Sequence, residues 1–242
     1  PTGLHDKVWQ ARPFTTDEAE CVELKTVSPD GEGGFPGNVE FTVTYVLTDE
    51  GELKIDYVAK TDADTPIGMT NHSYFNLDGH TSHSIASQKL RLESDFYLPG
   101  TDKLVPTGEF AAVAGTPFDF REFKKIGADI HADDEQLKLA GGYDHSFCIR
   151  GTGLRLAATA YSDATGVTLK CFTTAPNMHF YTGNFVDGEE IGKCNLRYNK
   201  QCAFCLETEL PPDCVNQTNL GNCIVKAGEE YTCTTIYQFG LK

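Results

Sequence analysis

Apolar and polar positions alternate strictly over many stretches of this chain, as in VEFTVTYVLTD at 39–49, ELKIDYVAKTD at 52–62, LRLAATAYSD at 154–163 and VTLKCFTTAP at 167–176. A period of two predicts strands with one face inward and one outward. Turn chemistry separates them at Asp49-Glu50-Gly51, at Ser162-Asp163-Ala164-Thr165-Gly166 and at Ala227-Gly228-Glu229, so three hairpins are expected. The helix candidate, 126–137, supports a turn or two at most. Strands without intervening helical patterns predict an all-β fold, a large antiparallel β-sandwich, rather than a βαβ fold. No Ser-, Gly- or Pro-rich linker divides the sequence, and Pro211-Pro212 reads as a loop, so residues 1–242 are expected to form one domain.

Composition narrows the classes of partner. With 40% hydrophobic and 23% charged residues, the 242-residue chain has the balance of a globular protein. Twenty Lys and Arg against 35 Asp and Glu give a formal charge of -15, which argues against nucleic acid and anionic membrane surfaces as partners. No apolar run approaches the roughly 18 residues of a membrane span, and PTGLHDKVWQ lacks the features of a signal peptide. Nine cysteines, an odd number in a chain large enough to be stable without staples, are expected to be mostly buried thiols. A cytoplasmic location is the expectation and secretion the alternative. Asn71-His72-Ser73 and Asn216-Gln217-Thr218 both match the N-glycosylation pattern, Asn216 being the better acceptor if Asn71 lies in a cleft.

Three clusters could carry chemistry. Thr70 to Leu77 is dense in polar and aromatic residues, and in it His72 is either a proton donor or acceptor near neutral pH or a hydrogen-bonded structural histidine. Gly141-Gly142-Tyr143-Asp144-His145 sets a carboxylate beside aromatics, a mixture suited to sugar hydroxyls and the apolar face of a pyranose. Its alternative is a turn in which Asp144 caps local amides. In the strand Cys202 to Glu209, alternation puts Cys205, Glu207 and Glu209 on one face and Phe204, Leu206 and Thr208 on the other. Glu207 is flanked by apolar residues that could raise its pKa toward that of a general base; an exposed-face glutamate is the alternative. Cys202-x-x-Cys205 and His80-x-x-His83 are weak metal or redox signals, and neither a dinucleotide fingerprint nor a phosphate loop is present.

The order of these clusters closely resembles the aldose 1-epimerase family, the galactose mutarotases, over essentially the whole chain. Further landmarks are Asp6-Lys7-Val8-Trp9, Ser28-Pro29-Asp30-Gly31, Tyr97-Leu98-Pro99, Phe180-Tyr181-Thr182-Gly183-Asn184 and Cys205-Leu206-Glu207-Thr208 with Pro212-Asp213. The resemblance implies a β-sandwich with an open cleft that interconverts the α and β anomers of free aldohexoses such as glucose or galactose, with no metal or organic cofactor. It implies that Glu207 is the general base at the C1 hydroxyl and His72 the general acid at the ring oxygen. Asp144 is then a sugar-hydroxyl acceptor, with Asn76, Phe180 and Tyr181 as further substrate-binding residues. Family members usually carry another section ahead of Asp6, with an Arg and a first His in a Leu-His-Gly-Gly setting. His5 lacks that setting and takes no role. The chain is therefore expected to be incomplete at its N-terminus. The alternatives to an autonomous enzyme are a noncatalytic sugar-binding or structural homologue and one chain of a two-chain enzyme; a homo-oligomer is the other assembly considered.

Overall fold

The computed structural model describes residues 3–242, apart from the Glu190 side chain. Two antiparallel sheets face each other. The larger has nine strands in the spatial order Gln10–Thr15, Ala19–Ser28, Val39–Thr48, Glu52–Thr61, Glu230–Leu241, Val167–Thr173, Arg155–Tyr161, Lys89–Leu92 and Lys124–Lys125. The smaller has six, in the order Tyr74–Phe75, Phe204–Glu209, Asn177–Tyr181, Asp144–Ile149, Ser94–Leu98 and Ala111–Ala112. The expected all-β sandwich is therefore the observed fold.

Alternation explains both the layers and the core between them. On Glu52–Thr61 the inward residues Ile55, Tyr57 and Ala59 are almost fully buried, as are Leu169 and Cys171 on Val167–Thr173. They meet Phe147, Met178, Phe180, Phe204 and Leu206 of the smaller sheet in one continuous apolar cluster. Removing that much apolar area from water is what holds the layers face to face.

Two of the expected hairpins form as read. Val39–Thr48 pairs with Glu52–Thr61 across the Gly51 turn, and Arg155–Tyr161 pairs with Val167–Thr173. The third does not. Glu229 closes a turn onto Lys226, but Ile224–Val225 pairs with Thr65–Pro66 while Glu230–Leu241 pairs with Glu52–Thr61. The turn passes the chain from a small ribbon to the large sheet, a choice made by distant partners that local turn chemistry cannot specify.

The helix is Glu135–Ala140, later than the span expected for it. The Asp134 carboxylate accepts from the Gln136 and Leu137 amides and sets its start. Gly141, left-handed at φ 68°, ends it. Seven of the nine cysteines are buried and all nine are free thiols, as expected.

Candidate active site

One face of the six-stranded sheet is packed on the core; the other is polar. Its three central strands align by register, with Asp144 opposite Tyr181, Ser146 opposite His179, His179 opposite Glu207, and Asn177 opposite Glu209. Residues paired across a ladder share a face. Asp144, His179, Glu207 and Glu209 thus stand on one surface, each with its side chain mostly covered.

Glu207 and His72 face each other. His72 Nε2 is 3.4 Å from Glu207 Oε1, and the two groups differ in exposure: 49% of the His72 side chain is open to solvent against 12% of Glu207. Burial lifts Glu207 to about 7, with His179 opposing the rise and the charges of Glu209 and Asp144 adding to it. A carboxylate so placed can both accept and return a proton near neutrality. His72 comes from a loop, and its neighbour anchors it. The Asn71 amide donates to the Tyr57 hydroxyl, while Asn71 Oδ1 accepts from Ser73 and lies 3.1 Å from the Tyr237 hydroxyl. Tyr237, from the opposite sheet, also donates to the Leu206 carbonyl at 2.6 Å, one residue from Glu207. The His72 ring is flanked by Tyr74 and, edge-on, by Tyr181.

The Asp144 position depends on its approach. At Gly142 (φ 150°) a Cβ would come within 2.3 Å of Asn184 Oδ1, so glycine is what lets the chain pass there. The Thr182 hydroxyl accepts from the Tyr143 amide, and the Asn184 amide donates to the Tyr143 carbonyl. Asp144 then emerges half-buried, its Oδ1 2.7 Å from His179 Nε2. The adjacent His145 points the other way, against Tyr97 and Phe118, and burial pushes it down to about 3, which keeps it neutral.

A groove of about 570 Å³ opens beside this surface, with Thr70, Glu209 and Pro212 in its lining. On the polar face itself, the Glu207 carboxylate, the His72 imidazole beside it and the Tyr74 and Tyr181 rings make a site for a small polyhydroxylated ring. Residues 2–238 match the sequence model of the family described as aldose 1-epimerase. The chain belongs to the aldose 1-epimerase family. It is 41% identical to the human galactose mutarotase over 249 residues, covering all of this chain and 70% of that protein. To the Escherichia coli K12 aldose 1-epimerase it is 39% identical, covering 99% of this chain and 68% of that one. Its fold superposes on the crystal structure of the galactose 1-epimerase of Lactobacillus acidophilus NCFM with a TM-score of 0.87 at 31% identity, covering 98% and 67% of the two chains.

Against this epimerase frame the residues expected in the cleft separate into two groups. Glu207, His72, Asp144 and Tyr181 lie on one face, Tyr181 with its hydroxyl accepting from the Phe185 amide. Phe180 does not join them. It is fully buried on the opposite face, stacked on Tyr143 and packed against Phe120 and Phe147, so its assignment as a substrate-binding residue is corrected to the core. Adjacent residues of a strand point to opposite faces, and Tyr181 already occupies the cleft face. Phe180→Ala is accordingly expected to cost about 3 kcal/mol of stability with little change in KM, measured by denaturant unfolding and steady-state kinetics. A raised KM in a fully stable variant would return Phe180 to the cleft. Asn76 lies in a neighbouring hollow with Tyr74 and His80, its amide donating to the Ser82 and Cys202 carbonyls and its Oδ1 accepting from Gln88. Its side chain is held by the loop and strand around that hollow.

The same period adds one residue to the site. His179 shares the face of Tyr181, and Glu209 shares that of Glu207, as the alternation of its own strand predicts. Alternation applied to Asn177–Tyr181 picks out His179 and rejects Phe180. Ligand atoms of His72, Cys205 and Glu207 also lie within 4.8 Å of one another, close enough to share a metal ion. Burial raises the Cys205 thiol far above its ordinary value, so a metal there would first have to displace a tightly held proton.

Proposed function

We propose that the protein interconverts the α and β anomers of free aldohexoses, glucose or galactose among them, by acid/base opening of the ring. Family membership supports the reaction, and one observation supports the assignment of roles: a mostly buried carboxylate and an exposed imidazole 3.4 Å apart on the polar face. The two oxygens on an anomeric carbon share that one atom, so a base for one and an acid for the other must converge as these do. Glu207 takes the C1 hydroxyl proton, His72 as imidazolium gives a proton to the ring oxygen, and the C1–O5 bond breaks to leave the open-chain aldehyde. Rotation about C1–C2 presents the other face of the carbonyl. Return of the protons closes the other anomer. Asp144 accepts from a sugar hydroxyl and holds the ring in place.

Polarimetry of fresh α-D-glucose and α-D-galactose reads this directly. The chain is expected to speed the approach to anomeric equilibrium well beyond the buffer rate, and a rate equal to the buffer blank would leave a noncatalytic sugar-binding protein. Repeating the assay on material of measured solution mass separates an enzyme that works alone from one that requires a second chain or a second copy.

A further inference from the structure

His179 is the group on the cleft floor to which the acid/base scheme assigns no step, yet it has the most demanding surroundings. It stands on the middle strand of the polar face, and both ring nitrogens meet carboxylates: Nε2 is 2.7 Å from Asp144 Oδ1 and Nδ1 is 3.5 Å from Glu209 Oε1. Directly across the ladder is Glu207. A neutral imidazole has one N–H donor and one lone pair, and in this position the lone pair would confront a carboxylate oxygen. Only the doubly protonated ring offers an N–H to Asp144 and turns an N–H rather than a lone pair toward Glu209. Glu209 is itself fixed, its Oε1 accepting from Ser146 Oγ at 2.7 Å, and Ser146 Oγ accepts in turn from the Asn177 amide.

We propose that His179 is a positioning residue of the epimerase site: as an imidazolium clamped between Asp144 and Glu209, it aims the Asp144 carboxylate and keeps Glu207 ionised to receive the sugar proton. The inference rests on the acid/base reading above and adds to it the source of the base's charge state. Three carboxylates crowd this patch, two of them from Phe204–Glu209 and one from Asp144–Ile149. The other titratable groups that face it are Cys205 and Cys148, both thiols that burial keeps protonated, with Tyr181, Tyr74 and His72 at its upper edge. Without a cation among them, Asp144 and Glu209 would each raise the affinity of Glu207 for a proton.

The ring's own balance runs the same way. Burial alone would drive His179 down, but hydrogen bonds to Asp144 and Glu209 and their charges outweigh it and hold the ring up to about 10. A folded-state value above the unfolded one near 6.5 means that the clamp's stabilisation is fully present below about 6.5 and is lost as pH rises through about 10. The melting temperature of the native protein should therefore fall across that alkaline window, more than that of His179→Gln.

His179→Gln keeps an amide that can donate to Asp144 but carries no charge. Its acid limb in kcat/KM is expected to move to higher pH by about one unit, with a roughly tenfold deficit near pH 6 that closes to within about threefold near pH 9. Nitrogen-15 shifts of the native ring, assigned by their loss in His179→Gln, are expected to be those of an imidazolium at about pH 8, where a free histidine is neutral. A neutral ring at that pH overturns the proposal, whatever the variant's kinetics. So does an unmoved acid limb in His179→Gln when Glu207→Gln is inactive. Failure of the acid/base scheme itself shows differently, as undiminished activity in Glu207→Gln.

Discussion

Glu207→Gln is expected to lower kcat by about a thousandfold, because the amide keeps the shape of the carboxylate but cannot accept the C1 hydroxyl proton. The strand fixes the side chain from both sides: Leu206 and Thr208 are locked into the core, and Cys205 is buried beneath His72. Loss of activity with an intact fold would therefore be loss of the proton acceptor alone. Glu207 accepts the proton in its ionised form, so the acid limb of kcat/KM of the native protein should lie near pH 7. The stability sign is opposite. Because burial raises the folded-state value from 4.5 to about 7, the folded protein holds this proton more tightly than the unfolded chain, and stability declines as pH rises across that window. Glu207→Gln should escape the decline and melt no lower than the native protein near pH 8. Activity within a few-fold of native in this variant would remove Glu207 from the role of base.

His72→Gln is expected to cost about a thousandfold in kcat with a much smaller change in KM, since glutamine can hydrogen-bond the ring oxygen but cannot protonate it. Its surroundings make a second outcome available. Half of the His72 side chain is open to solvent, so the space it leaves in a smaller variant, His72→Ala, admits imidazole from solution. Added imidazole should restore part of the rate of that variant, with a dependence on the protonated fraction of the buffer. Full activity in His72→Gln, or a lesion confined to KM, would show that the ring binds the sugar without donating to it.

How much of this was legible in the sequence follows from where the determining interactions lie. The sandwich was readable because alternation is local and repeats in every strand: Glu52–Thr61 declares its buried Ile55, Tyr57 and Ala59 without reference to any partner. The turn at Ala227 was misread because its two flanking strands take partners more than a hundred residues away. In the site, Glu207 could be placed on a face by the period of its own strand, and Asp144 by the glycines before it. Their proximity could not, since it depends on the register of Asn177–Tyr181 between them. Phe180 enters the expected cleft through the family resemblance, whereas the period of two sends it to the core. His179 was missed for the complementary reason: its importance comes from carboxylates at positions 144 and 209, and nothing within its own segment announces them.

The Tyr237 hydroxyl reaches across the sandwich to the Leu206 carbonyl beside Glu207 and to the Asn71 side chain beside His72. The segments that carry Glu207 and His72 are thus referenced to one phenol that rides on the opposite layer. Motions that slide or separate the two layers would then change the spacing between Glu207 and His72. A close-packed interior resists such breathing, and its low compressibility becomes part of the catalytic apparatus. On the proposed mechanism, the timing of proton transfer is then a mechanical property of the whole interlayer, as well as a chemical property of two residues.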